Sequence, residues 1–161
     1  MTPIAIALGS NVGDREQYLK AAVASLAPVV SNLHLSRFFD TDPVDMAGKQ
    51  RRVINAAATG ETDLSALALL ECMLDVELQL GRTRPHPGAA RTVDLDLILF
   101  GNQVIAEPPT LIVPHPRFRE RRFVLEPLVD VASDWTDPVT GLTIAQLLEN
   151  LGDVERGYRS E

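Results

Sequence analysis

Runs of apolar and alternating residues predict four strands along this chain. Apolar side chains fill residues 4–8 and predominate in residues 53–59, and they alternate loosely with polar ones through residues 29–39. A fourth run, residues 93–100, alternates apolar side chains with two acids before it becomes fully apolar. Runs of this length and pattern are typical of strands that bury one or both faces.

Apolar residues three or four positions apart predict helices between these strands. The first helix is expected after Asp14, and the second between a cap at Asp63 or Ser65 and a stop at Gly81. Two shorter helices are predicted, one over residues 118–125 and one after a cap at Thr143. The apolar stripes of the two longer helices are Leu19, Ala22, Val23 and Leu26, and Leu67, Leu70, Leu74 and Leu78.

Turn-forming residues mark the connections. Gly101 and Asn102 follow the fourth strand, and we expect the chain to return through residues 103–105 as a hairpin. Residues 81–90 hold two prolines, two glycines and two arginines, which deny them regular structure. We expect this segment to be a mobile loop that closes over bound ligands.

Alternating strands and helices with a hairpin favour an α+β layer fold, with a largely antiparallel sheet and helices packed on its faces. The chain has 161 residues, of which 45% are hydrophobic. That length suits one core and is short for two, so residues 1–161 are expected to form a single domain.

The charge distribution limits the class of partner. The formal net charge is −7, which argues against a nucleic acid or a membrane surface as the main partner. Residues 82–122 nevertheless hold seven arginines and only four acids. Arginine binds phosphate oxygens bidentately, so this basic segment predicts a site for a small polyanion.

Cysteine content and hydropathy indicate the cellular compartment in which the protein is expected. The chain has one cysteine, Cys72, so it has no disulfide framework, and a reducing cytoplasm is expected. No secretory signal is visible before Ile4, and no segment reaches the roughly 18 apolar residues of a membrane span.

Two acids in the fourth strand are the strongest chemical signal. Alternate side chains of a strand share one face, so Asp94 and Asp96 project together, about 7 Å apart. Carboxylate oxygens are preferred ligands of Mg²⁺, whose coordination shell substrate phosphates complete. The pair therefore predicts a magnesium and polyphosphate site, although an Asp-x-Asp standing alone is more often a solvent-exposed strand face.

Neither the P-loop nor the Rossmann glycine fingerprint is present, so a phosphate site here uses another scaffold. Several ordered blocks run nearly end to end along the chain: Ala7-Leu8-Gly9-Ser10-Asn11, Thr41-Asp42-Pro43, Asn55-Ala56-Ala57, Glu77 through Arg82, Arg91 through Gly101, and Val113-Pro114-His115 with Arg121 and Phe123. With these blocks the chain resembles one known family, the 6-hydroxymethyl-7,8-dihydropterin pyrophosphokinases of folate biosynthesis.

The resemblance implies a ferredoxin-like fold and transfer of pyrophosphate from ATP to the hydroxymethyl oxygen of the pterin, with release of AMP. It also implies two Mg²⁺ ions on Asp94 and Asp96, which neutralise the phosphates and lower the pKa of the attacking hydroxyl. The implied partners are ATP and a hydroxymethyl dihydropterin, bound by a monomer or weak homo-oligomer without nucleic acid or membrane.

Site residues follow from the same blocks. The resemblance implies catalytic roles for Asp94, Asp96, Arg82 and Arg91, ATP contacts from Glu77, Arg84, Ile98, His115 and Arg121, and pterin contacts from Thr41, Val44, Asn55 and Phe123. The amide of Asn55 can pair with the edge of the pterin ring, and Phe123 can stack on its face.

This chain also departs from the family pattern. Val53 stands where many members carry a second stacking aromatic, and Leu74 where a polar ATP contact is common. Pro116 follows His115 where an aromatic is frequent, and residues 81–90 lack a tryptophan. These changes bear on ligand affinity and loop closure rather than on reaction class.

Two other functions are compatible with parts of the pattern. An Asp-x-Asp also holds the metal of nucleotide-sugar glycosyltransferases, although the small size and the arginine and His115 motifs argue against that class. A non-catalytic ferredoxin-like binding module is the second alternative, and the retention of both aspartates and of the arginines argues against it.

Overall fold

Seven strands and four helices make up the described part of the chain, which is residues 1–10, 15–41, 53–81, 93–108 and 110–159 of a computed structural model. The side chains of Thr41 and of residues 152–159 lie outside this description. The strands are β1 (Thr2–Ser10), β2 (Ser31–Leu35), β3 (Phe39–Thr41), β4 (Val53–Thr62), β5 (Asp94–Phe100), β6 (Ile105–Glu107) and β7 (Leu111–Val113). The helices are α1 (Arg15–Leu26), α2 (Ala66–Gly81), α3 (Arg122–Ala132) and α4 (Ile144–Arg159), with a 3₁₀ turn at Phe118–Glu120.

The main sheet has the order β2-β4-β1-β5, and β3 pairs with β4 beyond the end of β2. Every pairing in it is antiparallel. If β2 and β3 count as one interrupted strand, the chain order is β-α-β-β-α-β and the first and third strands lie in the centre. That is the ferredoxin-like arrangement, so the predicted α+β class and largely antiparallel sheet are confirmed.

Helices α1 and α2 cover one face of the sheet. Even-numbered residues of β1 point to this face because side chains alternate along a strand. This core includes Ile4, Ile6, Leu8, Leu19, Leu26, Leu69, Met73, Leu95 and Leu97. The buried side chains exclude water from the sheet and fix which face of β5 carries its polar residues.

Helices α3 and α4 cover the opposite face. The strand residues beneath them include the alanines Ala5, Ala7 and Ala57, and small side chains let a helix approach a sheet closely. The helices contribute large side chains in return, which include Phe118, Leu125, Leu128, Ile144 and Leu147. Beyond α3 this face ends in an open cavity, at the last residues of β1 and the first of β5.

A bulge in β5 changes its alternation. Leu97 pairs with Ile6 and Leu99 with Ala5, so Ile98 is an extra residue opposite no partner in β1. As a result Leu97 and Phe100 belong to the α1 and α2 core, whereas Ile98 and Leu99 both belong to the α3 and α4 core.

The strand predicted over residues 29–39 is two strands. The break falls at residues 36–38, where Ser36 is buried and its hydroxyl accepts a hydrogen bond of 2.8 Å from the Ala57 amide. The Ser36 amide donates to the Ala57 carbonyl at 2.8 Å. A serine hydroxyl thus replaces part of the ladder, a contact that periodicity alone does not predict.

The predicted hairpin after Gly101 is wrong. Gly101 does turn, with a φ of +57°, but β6 pairs with β7 rather than with β5. The sequence predicts the position of the turn correctly, but it does not predict which strand pairs with the segment that follows. A separate two-stranded ribbon leads instead to the cis peptide bond between Val113 and Pro114.

Helix α2 has its predicted limits but buries a different stripe. Leu67, Leu74 and Leu78 are exposed, and the buried residues are Ala66, Leu69, Met73 and Val76. Both stripes have helical spacing, so the sequence does not distinguish them. The hydroxyl of Ser65 accepts a bond of 3.1 Å from the Ala68 amide, which identifies Ser65 as the cap.

The C-terminal segments follow the prediction more closely. The helix expected over residues 118–125 begins as the 3₁₀ turn and continues as α3 to Ala132. Thr143 caps α4, since its hydroxyl accepts from the Gln146 amide at 3.1 Å and Gln146 reaches back to the Thr143 amide. Among the described residues no helix is both long and apolar enough to cross a membrane.

Candidate active site

A cavity of about 310 Å³ lies at the end of the sheet that α3 leaves open. Its walls come from β1, β4, β5 and the start of α3. The lining residues are Ala7, Leu8, Gly9, Ser10, Val53, Asn55, Asp94, Asp96, Arg121, Phe123 and Val124. The topology thus brings together residues that lie more than 100 positions apart in the sequence.

Asp94 and Asp96 lie on one face of β5, as predicted from their spacing. Asp94 is exposed and Asp96 half-buried, while Leu95 between them is buried in the α1 and α2 core. They pair with Gly9 and Ala7 of the central strand. Because these two partners are small, both carboxylates face the cavity floor without a bulky neighbour on β1.

Glu77 of α2 fixes the strand that carries the aspartates. Its Oε2 accepts a hydrogen bond of 2.6 Å from the Leu95 amide. Leu95 lies between the two aspartates, and a short bond to a carboxylate is stronger than one between neutral groups. This contact makes Glu77 a support for the strand that carries Asp94 and Asp96, and the ATP contact predicted for Glu77 stays a prediction.

His115 is not among the lining residues of this cavity, but it lies near enough to Asp96 and Arg121 for their charges to affect its pKa. Its amide donates to the Ile98 carbonyl at 3.1 Å, which attaches the segment after β7 to the bulge in β5. Burial lowers the pKa of His115 below its usual value, the nearby Asp96 acts in the opposite direction, and Arg121 and Arg117 lower it further. The ring is therefore neutral near pH 7.

The hydrogen bond at Nδ1 fixes the tautomer of that neutral ring. Nδ1 accepts from the Arg117 amide at 3.2 Å, so the ring proton lies on Nε2. His115 can therefore donate one hydrogen bond from Nε2 to an acceptor such as a phosphate oxygen.

Asn55 of β4 and Phe123 of α3 both line the cavity. Asn55 is buried, with 6% of its surface exposed, whereas Phe123 is 45% exposed. A Cβ at Gly9 would lie 3.3 Å from Asn55 Oδ1, so the glycine leaves room for the side-chain amide of Asn55 beside β1. The guanidinium of Arg121 lies 5.7 Å from the centre of the Phe123 ring. One cavity therefore offers a flat ligand both an amide and an aromatic ring.

The arginines of the basic segment differ in their pairing. Arg117 pairs with Glu120, Arg119 with the buried Asp137, and Arg122 with Glu126. Arg121 lines the cavity itself and is held next to the Phe123 ring. This distribution favours Arg121 as the described arginine that meets a ligand.

Several predicted residues fall elsewhere. Arg82, Arg84, Arg91 and Val44 lie outside the described residues, as does most of the predicted loop 81–90. The backbone of Thr41 pairs with Val53, next to the cavity. The side chain of Ile98 is buried in the α3 and α4 core, so its predicted ATP contact would have to come from its backbone.

Sequence reasoning did not assign Ser10, Ala7 or Val124 to the site, although each lines the cavity. The small residues Gly9 and Ser10 directly after the first apolar run were the available signal, because a ligand or loop needs room at a strand end. Val124 carried no such signal, since it reads as an ordinary core residue of a helix.

The two carboxylates at this site suit a cation that a bound ligand also coordinates. Among the residues that the structure describes, no group of three or more His, Cys, Asp or Glu side chains is placed to hold a metal ion. The site offers two carboxylates, which are hard oxygen donors and leave most coordination positions to water or to phosphate oxygens. Asp94 and Asp96 therefore fit Mg²⁺ held jointly with a polyphosphate.

Comparison with known proteins places this geometry in a family. Residues 5–133 match the family model described as 7,8-dihydro-6-hydroxymethylpterin-pyrophosphokinase (HPPK). A 2-amino-4-hydroxy-6-hydroxymethyldihydropteridine pyrophosphokinase of Bacillus subtilis is 46% identical over 128 residues, covering 78% of this chain and 75% of that protein. An enzyme of the same name from Haemophilus influenzae is 36% identical and covers 92% of each chain.

Solved structures show the same fold. The Plasmodium falciparum HPPK-DHPS wild type superimposes with a TM-score of 0.76 at 13% identity, over 98% of this chain. This chain spans 46% of the length of that protein. Given the family match over most of the sequence and the shared fold, the chain belongs to the 7,8-dihydro-6-hydroxymethylpterin-pyrophosphokinase family.

Proposed function

We propose that this chain transfers pyrophosphate from ATP to the hydroxymethyl group of 6-hydroxymethyl-7,8-dihydropterin, in folate biosynthesis. The pterin oxygen attacks the β-phosphorus, the bond from that phosphorus to the α-phosphate oxygen breaks, and AMP leaves. The hydroxyl proton passes to solvent. One observation carries the proposal: a single cavity joins two carboxylates, an arginine, a buried amide and an aromatic ring.

The carboxylates of Asp94 and Asp96 would hold Mg²⁺, and we propose two ions. When bound, these ions neutralise the triphosphate and acidify the attacking hydroxyl. The chain itself holds both carboxylates on one strand face, and Glu77 fixes that strand through the Leu95 amide. Fixed donors need no rearrangement during reaction, which is the condition for electrostatic catalysis.

Arginine and histidine side chains would orient the triphosphate. Arg121 supplies a permanent positive charge beside the aspartates, and the Nε2–H of His115 supplies a neutral donor. Arg82, Arg84, Arg91 and the backbone of Ile98 complete the proposed ATP site. In-line attack requires that the phosphate chain be held in one orientation, which several fixed donors achieve.

The amide of Asn55 and the ring of Phe123 would bind the pterin, with Thr41 and Val44 beside them. Asn55 is buried, so its side chain is presented to a ligand inside the cavity and not to bulk solvent. Val53 lines the wall where a second aromatic is common in the family, so aliphatic contact replaces one stacking partner.

The test is an assay for AMP with purified protein, ATP, Mg²⁺ and 6-hydroxymethyl-7,8-dihydropterin. We expect equimolar AMP and pterin diphosphate, and no product without Mg²⁺. The matched control is 6-methyl-7,8-dihydropterin, which keeps the ring and lacks the nucleophilic oxygen. Absence of AMP would indicate a binding module, and release of a nucleoside diphosphate from a nucleotide sugar would indicate a glycosyltransferase.

We further propose that the enzyme acts in the cytoplasm, as one domain over residues 1–161 and as a monomer or weak homo-oligomer. A single half-buried cysteine is compatible with a reducing compartment. Sedimentation at several concentrations would test the proposed assembly state.

A further inference from the structure

A bidentate contact joins the break between β2 and β3 to the far end of α3. The Arg37 amide donates to Asp130 Oδ2 at 2.8 Å, and Arg37 Nε donates to Asp130 Oδ1 at 3.1 Å. The guanidinium of Arg37 also lies 5.3 Å from the centre of the Phe39 ring. One residue is therefore held by its backbone, its side chain and a neighbouring ring.

The position of Asp130 in α3 makes a cationic partner favourable. Asp130 lies in the last turn of α3, where the helix dipole disfavours a negative charge. A cationic partner removes that disadvantage. The side chain of Asp130 is 25% exposed and that of Arg37 is 77% exposed, and each carboxylate oxygen of Asp130 accepts one hydrogen bond from Arg37.

The contact links elements that supply the β4 wall and the α3 wall of the cavity. Strand β3 has three residues and pairs with β4 so that Phe39 lies opposite Asn55 and Thr41 opposite Val53. Asn55 and Val53 of β4 line the cavity, as does Phe123 in the first turn of α3. A strand this short is held weakly by its own ladder, so a tie to α3 affects its position.

We propose that Arg37 and Asp130 are positioning residues that fix β3 against α3 and thereby set the width of the pterin cavity. This inference rests on the proposed function for the identity of the ligand. An exposed pair contributes little to global stability. Its effect is therefore expected on the affinity for a flat ring gripped between the two walls, and not on the affinity for ATP.

The experiment measures two affinities in each variant. Pterin binding is titrated with Mg²⁺ and α,β-methylene-ATP present, since that analogue cannot undergo cleavage between its α- and β-phosphates, and binding of the analogue is titrated alone. The variants are Arg37→Ala, Asp130→Ala and the double variant. Asp134→Ala is the charge-matched control, because Asp134 is exposed just beyond α3. Amide exchange of residues 36–41 reports on the position of β3.

We expect Asp130→Ala to weaken pterin binding about five-fold, to leave the ATP analogue within two-fold, and to accelerate exchange in residues 36–41. The double variant should be no worse than the single ones, since both remove one contact. Unchanged pterin affinity despite faster exchange would overturn the inference, as would equal losses for both ligands. Failure of the proposed function would appear differently, as absent pterin binding by the wild-type protein.

Discussion

Asp94 and Asp96 illustrate how one residue spacing determines a chemical site. Because side chains alternate along β5, Leu95 and Leu97 point into the core with α1 and α2. Asp94 and Asp96 point to the other face of the strand. Charge on this face is therefore separable from folding, and substitutions there should affect chemistry without affecting stability.

We accordingly expect Asp94→Ala and Asp96→Ala each to abolish AMP production while leaving the melting temperature near that of the wild type. Asp75→Ala on the exposed side of α2 is the control for loss of one charge. A rate above about one tenth of wild type would mean a loss of less than about 1.4 kcal/mol of transition-state stabilisation. That result would contradict a metal-binding role for both carboxylates.

Glu77 acts through a backbone amide, and this gives a second prediction. Glu77→Ala removes the acceptor of the Leu95 amide and should lower kcat at least ten-fold, because a small displacement of catalytic groups is sufficient for such a loss. Glu77→Gln retains an oxygen acceptor and should recover most of the rate. If Gln were as damaging as Ala, the negative charge of Glu77 would be what matters, and the positioning role would be wrong.

Asn55 and Phe123 should contribute to the binding of the pterin and not to the binding of ATP. Asn55→Ala and Phe123→Ala are expected to weaken pterin binding at least ten-fold and to change affinity for an ATP analogue less than two-fold, because an amide edge and a ring face match the flat pterin. Calorimetric titration of each ligand gives both values. Comparable losses for the two ligands would show that this wall is not specific for the pterin.

At the scale of single residues, the sequence predicted which side chains line the cavity better than it predicted the hydrogen bonds that hold them. Asp94 and Asp96 were predicted from their spacing, and Asn55, Arg121 and Phe123 from the resemblance to the family; all five line one cavity. The bond between Glu77 and the Leu95 amide spans 18 positions and depends on how α2 lies against β5. No local pattern contains that orientation, so only the folded chain reveals it.

Helices and strands show the same difference: features that depend on neighbouring residues were predicted, and long-range pairing was not. A cap at Asp63 or Ser65 and a cap at Thr143 were predicted because caps depend on neighbouring residues, and the structure has them at Ser65 and Thr143. The partner of β6 was predicted wrongly, because turn residues specify that a chain reverses but not which strand it meets. The exposed stripe of α2 was mistaken for its buried one, since Leu67, Leu74 and Leu78 satisfy the same period as the true core.

Asp137 joins the 3₁₀ turn to the turn before α4, and its ionisation should be visible in acid. Burial alone would raise the pKa of Asp137, but hydrogen bonds from Arg119, Thr140 and the Val139 amide outweigh burial and hold the pKa below its usual value. A carboxyl with a lowered native pKa contributes stability above its unfolded pKa, about 3.9. That contribution is lost as the pH falls through the native value.

Asp137→Asn should therefore be less stable than wild type by about 2 kcal/mol at pH 7, since it leaves Arg119 without its ionic partner. The difference should shrink as the pH falls below about 4. Urea unfolding at pH 7, 5 and 3 measures it, with Glu120→Gln at the exposed pair with Arg117 as control. A difference independent of pH would exclude ionisation of Asp137 as its source.

In the part of the chain that the structure describes, two cores lie on opposite faces of one sheet, and the helix that carries Phe123 packs in one of them. Leu69 lies in the core with α1 and α2, and Leu125 in the core with α3; both are fully buried. Because α3 carries Phe123, disturbance of its packing is expected to move that ring, whereas Leu69 is separated from Phe123 by the sheet.

Leu69→Ala and Leu125→Ala should each lower the free energy of unfolding by about 2–5 kcal/mol. Only Leu125→Ala is expected to weaken pterin binding as well, when affinity is measured well below the melting temperature of both variants. Denaturant titration and calorimetry supply the two quantities. Equal pterin affinity in both variants would mean that α3 does not transmit its packing to the site.

The bulge in β5 means that this strand is one residue longer than its pairing requires. If Ile98 were deleted, Leu97 would still lie opposite Ile6 and Leu99 opposite Ala5, so both registers would survive. What would be lost is a core side chain and the carbonyl that receives the His115 amide. Chain length at this point therefore serves the α3 and α4 core and the attachment of the segment that carries His115, and not the pairing of β5 with β1.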